Sequence, residues 1–114
     1  MQDFQLKLEL EGGTAIIGMK GELTHAGEAR LLTAYDKVEA AQCTNLVLDF
    51  SDIEYINSAG MSIIITLLTK SQKFDQHVCA CGLSSHFQKI FDMVGLTRYI
   101  PHYNSRSNAI ASLA

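Results

Sequence analysis

Lysine and arginine are few, nine in 114 residues, and nowhere do they cluster into a basic face. A nucleic-acid partner needs such a face to neutralise phosphates, so the composition argues against one. All charged residues together make up only 18%, with a formal net charge of −3. That is below the usual quarter or so, and predicts a weakly charged surface that a partner covers in part. No run of roughly 18 apolar residues occurs, so no membrane insertion is expected. The opening MQDFQLKLEL has no basic stretch leading into an apolar one, so no signal peptide is expected. Linkers rich in Pro or Ser, internal repeats and low-complexity tracts are missing too. One domain over residues 1–114 is therefore expected. The 47% of hydrophobic residues suffices for a core.

Motifs of catalysis and cofactor binding are also missing. There is no Gly-x4-Gly-Lys-Ser/Thr phosphate loop. The hydrolase elbow Gly-x-Ser-x-Gly is incomplete, because Ile56-Asn57-Ser58-Ala59-Gly60 lacks the first glycine. His25, His77, His86 and His102 fall at no diagnostic spacing, so the base and orienter that a triad needs are not marked. No enzyme activity, no cofactor and no metal is expected. Asp49, Asp52 and Glu54 could form a magnesium site, but read more simply as a solvated loop. Cys43, Cys79 and Cys81 are an odd number, which suggests free thiols and a cytoplasmic location. Cys79 and Cys81, two apart, would share one face of a strand as small core residues. A metal site with His77 or His86 is the weaker reading.

What is present is a regular alternation of elements. Phe4, Leu6, Leu8 and Leu10 alternate with polar residues, the pattern of a half-buried strand. Gly12-Gly13 predicts a hairpin turn into a second strand, Thr14 to Lys20. Gly21 to Thr24 ends it, and Thr24 can cap a helix. Leu31, Ala34, Tyr35, Val38 and Ala41 then make a helical stripe. Leu46 to Leu48 reads as a strand buried on both faces, with Asp49 to Asp52 as a loop. Met61, Ile64, Ile65 and Leu68 form the apolar stripe of a helix from about Ser58 to Phe74, with Asn57 or Ser58 as its cap. Next comes a strand, His77 to Gly82. A helix capped at Ser85 by the Ser-x-x-Gln pattern follows, with Phe87, Ile90, Phe91 and Val94 buried and Gly95 at its end. Arg98 to Ile100 reads as a brief strand closed by Pro101. Ser105 can cap a last helix through Leu113. The order is ββαβαβαβα. It predicts an α/β domain with a mixed sheet of four to five strands and helices mainly on one face.

Within Tyr55 to Leu68, YINSAGMSIIITLL, four small residues interrupt two apolar runs. A serine in the first turn of a helix is exposed, and a phosphate on it would meet free N–H groups and the positive end of the helix dipole. Ser58 therefore reads either as a helix cap or as a phosphoacceptor.

LVLDFSDIEYINSAGMSIIITLL, residues 46–68, resembles the core signature of STAS domains, the anti-sigma factor antagonists of bacteria. That pattern is an apolar strand, Asp-aliphatic/aromatic-Ser, then Asp-Ser-Ser/Ala/Thr-Gly-aliphatic. Gly21-Glu22-Leu23 resembles the family's Gly-Glu-Leu-Asp. Cys81-Gly82-Leu83-Ser84, Ile90-Phe91 and Val94-Gly95-Leu96 resemble the stretch before its last strand. The resemblance covers nearly the whole chain. It implies that Ser58 is phosphorylated by a partner that is both anti-sigma factor and serine kinase, of the histidine-kinase-like ATPase type. Unphosphorylated protein would bind this kinase and free the sigma factor, and a metal-dependent serine phosphatase would reverse the modification. The implied docking surface comprises Asn57, Ser58, Ala59, Gly60, Met61 and Ser62, flanked by Glu22, Thr24 and His25. STAS domains also serve as binding subunits of lipid-transport ATPase complexes or signalling assemblies, the alternative implication. Asn57 and Thr24 stand where the family pattern has Asp. Asn caps a helix as Asp does, apart from a charge–dipole contribution of ~0.3–1 kcal/mol.

Overall fold

The computed structural model describes residues 3–113. It contains β1 (Gln5–Glu11), β2 (Thr14–Leu23), α1 (Glu28–Ala40), β3 (Asn45–Ile56), α2 (Ser58–Lys73), β4 (His77–Cys81), α3 (Ser85–Met93), β5 (His102–Tyr103) and α4 (Arg106–Ser112). Short 3-10 turns at His25–Gly27 and Leu96–Arg98 precede α1 and β5. The order is the expected ββαβαβαβα. The five strands lie in sequence order, with β1 antiparallel to β2 and every other pair parallel. Both hairpin glycines have positive φ, 55° at Gly12 and 82° at Gly13, as a two-residue turn matched to the strand twist requires.

Alternation along the strands separates two cores. Ala15, Ile17 and Met19 of β2, Leu46, Leu48 and Phe50 of β3, and Val78 and Ala80 of β4 face α1, α2 and α3. The intervening Ile16, Val47, Cys79 and Cys81 face the other way, onto Ala109 of α4 and the half-buried Tyr103 and Leu113. Three helices thus cover one face, and α4 closes part of the second. Arg106 pins α4 there. Its Nε donates to Asp49 at 2.9 Å and its Nη1 to Glu9 at 2.6 Å. Asp49 therefore belongs to a structural ion pair, not to an acidic loop.

Several expected boundaries move. Asp49 to Asp52 is not a loop, because β3 runs on to Ile56. It stays paired with the end of β2 through two register shifts, from Gly18↔Asp49 to Leu23↔Ile56. Its pairing with β4 stops at Asp49↔Cys81, and most of the extension beyond is exposed. In α2 the buried residues are Gly60, Ile63, Ile64, Leu67, Leu68 and Ser71, and Ile65 is 45% exposed. The apolar stripe is rotated relative to the expected one because Ile63 and Leu67 serve as its second ridge. Ala41 is exposed, lying just beyond the end of α1.

The cap of α3 is Ser84, not Ser85. Its extended backbone lets the hydroxyl accept from Phe87 N at 3.2 Å, while Gln88 donates to Leu83 O. Val94, the C-terminal cap of that helix, is 55% exposed. Arg98 to Ile100 is not a strand, since the Leu96 carbonyl accepts from both Tyr99 N and Ile100 N in a tight turn. The last strand follows Pro101, where Ala80 N reaches the Pro101 carbonyl at 2.9 Å. Ser105 caps α4 as expected, accepting from Asn108 N at 3.1 Å.

Candidate functional site

β2 and β3 end side by side, at Leu23 and Ile56, and the chain turns from each into helical structure. In open parallel sheets such carboxyl ends are where ligands and partners are met. The β2 end is held by Thr24, extended at φ −131°, whose hydroxyl accepts from Ala26 N at 3.3 Å. The β3 end is held by Asn57, extended at φ −90° and ψ −176°. Its side-chain oxygen accepts from Gly60 N at 2.9 Å, and its carbonyl accepts from Met61 N at 2.9 Å. Asn57 N in turn donates to the Leu23 carbonyl at 3.3 Å, which ties the two turns together.

This geometry settles which residue caps α2. The cap is Asn57, so the Ser58 hydroxyl is not needed to end the helix. Ser58 is exposed, at the first helical position. Intrahelical bonding begins with Met61 N, so the N–H groups of Ser58 and Ala59 have no acceptor within the helix. With the helix dipole they make this corner electropositive although no basic side chain lies in the first turn.

The remaining expected residues divide by exposure. Ser62 lies one turn beyond Ser58 and is exposed, as is His25. Asn57, Ala59, Met61, Glu22 and Thr24 are half-buried. Gly60 is buried and cannot offer a side chain to a partner. A Cβ there would overlap the Leu23 carbonyl oxygen and press on Ile56, so the glycine sets how closely α2 approaches the end of β2. Two large apolar residues outside the expected set are exposed as well. Ile65, two turns along the face that carries Ser58 and Ser62, is 45% exposed. Tyr55 is 50% exposed, with its ring 6.1 Å from that of Phe87. Their signal in the sequence was weak, since an isoleucine inside Ile63-Ile64-Ile65 reads as core.

Among the described residues His102 and His25 are engaged in contacts other than with Ser58. His102 Nε2 accepts from Leu83 N at 3.1 Å on the far side of β4, and burial lowers its pKa. His25 instead lies 3.9 Å from Glu28, both at the surface. The three cysteines are free and buried. Burial pushes the Cys79 thiol up to about 11 and the Cys81 thiol to about 12, the latter raised further by the neighbouring Asp49. These are inert core thiols. Among the described residues no helix is long and apolar enough to cross a membrane.

The sequence model of the STAS domain matches residues 5–109. The chain belongs to the STAS domain family. Among individual proteins, it is 23% identical to an anti-sigma F factor antagonist of Paenibacillus polymyxa over 97% of this chain and 96% of that one. Its fold superposes on an anti-sigma factor antagonist from Mycobacterium paratuberculosis with a TM-score of 0.83 at 21% identity, covering 96% and 93% of the two chains. It also superposes on the phosphorylated form of the Bacillus cell fate determinant SpoIIAA, with a TM-score of 0.72 at 20% identity, covering 96% of this STAS chain and 100% of that one.

Proposed function

We propose that this STAS protein is an anti-sigma factor antagonist, a non-enzymatic switch thrown by phosphorylation of Ser58. The observation that carries the reading is the position of Ser58. It is exposed at the start of α2, free of the capping duty that Asn57 performs, and aligned with the serine of the family pattern. The naming of its relatives as anti-sigma factor antagonists supports the same reading.

In the unphosphorylated state the surface of Ser58, Ala59, Met61, Ser62 and Ile65 is small and weakly charged. Glu22, Thr24 and His25 flank it. Such a surface suits an anti-sigma factor that also carries a serine kinase domain of the histidine-kinase-like ATPase type. Binding occupies that protein and frees its sigma factor. Transfer of a phosphoryl group to Ser58 Oγ adds roughly −1.5 to −2 charge at neutral pH. The helix N-terminus accommodates this charge, so the domain stays folded. The docked kinase does not accommodate it, because a new charge must be desolvated in the interface. A metal-dependent serine phosphatase resets the switch.

The test is intact-mass measurement after incubation with ATP and the cognate kinase. The expected result is a gain of one phosphate, absent in Ser58→Ala. Because Asn57 holds the cap, Ser58→Ala keeps the fold, and its silence reports the loss of the acceptor. Binding without any gain of mass would recast the protein as a constitutive binding subunit of a larger assembly.

A further inference from the structure

β1 is an outer strand of the sheet, and among the described residues no strand pairs with its far edge. We infer that this edge pairs with β1 of a second copy, antiparallel about a twofold axis at Leu8, to form a homodimer with a continuous sheet.

Hairpin geometry decides which backbone groups are free. Glu11 and Thr14 close the two-residue turn, so Glu11, Glu9, Lys7 and Gln5 exchange hydrogen bonds with β2. The N–H and C=O groups of Leu6, Leu8 and Leu10 therefore point outward, toward the open edge. An antiparallel partner must oppose even-numbered residues to even-numbered ones.

Charge then selects among the registers this parity allows. With Leu8 opposite Leu8, Lys7 of each copy stands opposite Glu9 of the other, twice over by symmetry. Moving the axis to Lys7 sets lysine against lysine, and moving it to Glu9 sets glutamate against glutamate. Like charges directly opposite are destabilising. The Leu8 register alone among these three has no like pair. Both side chains are accessible, Lys7 at 81% and Glu9 at 40%, and Arg106 holds Glu9 in place from behind.

The opposite face of the strand agrees. Leu10 is 50% exposed, and Leu6 and Leu8 are only partly covered by α1. In the Leu8 register Leu6 meets the partner's Leu10 on both sides of a central Leu8 pair. A half-covered stripe so becomes a continuous apolar row. The contact involves seven residues from each chain and is small by the standards of stable complexes, so the dimer dissociates on dilution. Ser58 itself follows β3, two strands from β1, and the open edge of β1 faces away from β2 and its flanking residues, so the inference stands apart from the switch.

Sedimentation equilibrium over a range of concentrations tests it. The wild type is expected to associate reversibly to dimers. Lys7→Glu, a change at an exposed side chain, is expected to weaken association by about tenfold or more by creating two like-charge pairs. Glu9→Lys alone is expected to be monomeric for the same reason, yet an equimolar mixture of the two variants should form heterodimers, because both cross pairs then become complementary. If Glu9→Lys does not fold, Leu8→Cys supplies the register, since cysteines at the axis should form a disulfide under mild oxidation while Lys7→Cys should not. A wild type that stays monomeric at its solubility limit overturns the inference. So does a dimer that Lys7→Glu leaves unchanged.

Discussion

The α-carbon of Gly60 lies against the Leu23 carbonyl oxygen so closely that no side chain fits between them. That carbonyl also accepts from Asn57 N, and the Asn57 side chain accepts from Gly60 N. Two residues at the strand ends, Leu23 and Asn57, and one in the first turn of α2, Gly60, thus fix where α2 begins. Because Ser58 sits between Asn57 and Gly60, its place at the surface is a consequence of this closure.

Gly60→Ala must push α2 away from the β2 turn or break the Asn57–Leu23 bond. The obstacle is backbone, which cannot rotate aside. A loss of about 1–3 kcal/mol in stability is expected, in the range of overpacked sites. A urea titration gives it as a lowered midpoint with the slope unchanged. Kinase binding should weaken at temperatures where the variant is still folded, since the Ser58 corner moves with the helix. A midpoint equal to the wild type would mean that the closure is loose.

Where two or three adjacent residues decide a conformation, the sequence was sufficient. Gly12-Gly13, Ser105 and Gly95 are such cases, and so is the Asn57-Ser58 corner, narrowed in advance to two capping residues. Features decided across the sheet were not legible. Most of the extension of β3 from Ser51 to Ile56 is exposed, since β4 ends early, and its partner in β2 lies about thirty residues away in the chain. Ile65 looked buried because Ile63-Ile64-Ile65 has no periodicity of its own, and only the packing against the sheet chooses which residue is left out. The family resemblance pointed to Ser58, but the exposure of Tyr55 and Ile65 emerges from packing alone.

The thiols of Cys79 and Cys81 should be silent in the native state. Both are buried between the sheet and α4, and their raised pKa values leave almost no thiolate at neutral pH. Alkylation followed by mass spectrometry is expected to modify them only at the rate of unfolding. Fast labelling of either would show that α4 opens locally. Arg106→Met, which unpins that helix, should accelerate labelling of both.

Asp49 gives the fold a predictable dependence on pH. Burial alone would push its carboxyl up, but the Ser51 hydroxyl and amide and the Arg106 guanidinium outweigh this and hold it below the ordinary value of 3.8. A carboxyl with a depressed folded pKa contributes stability that is fully present above its unfolded pKa. That contribution is lost as pH falls through the folded value. The stability gap between the wild type and Asp49→Asn should therefore be constant from neutral pH down to about pH 5 and shrink below about pH 4. Urea midpoints measured across this range check it, and a gap that widens on acidification would reverse the assignment.

Asn57→Asp and Ser58→Asp separate the cap from the switch. Asp at 57 keeps an oxygen for Gly60 N and adds a charge at the positive end of α2, so stability should rise by ~0.3–1 kcal/mol at low salt. It also restores the acidic neighbour that the family pattern has beside its serine. If that charge serves kinase recognition, the rate of Ser58 phosphorylation should rise as well. Ser58→Asp places one charge at the proposed phosphorylation site while the Asn57 cap remains intact. Its thermal midpoint should match or slightly exceed that of the wild type, whereas its affinity for the kinase should fall at least tenfold, as expected when a carboxylate is desolvated without a partner. Calorimetry of unfolding and of binding on the same preparations measures both quantities. Unchanged affinity in Ser58→Asp would remove Ser58 from the interface and leave it as an ordinary residue of the first helical turn.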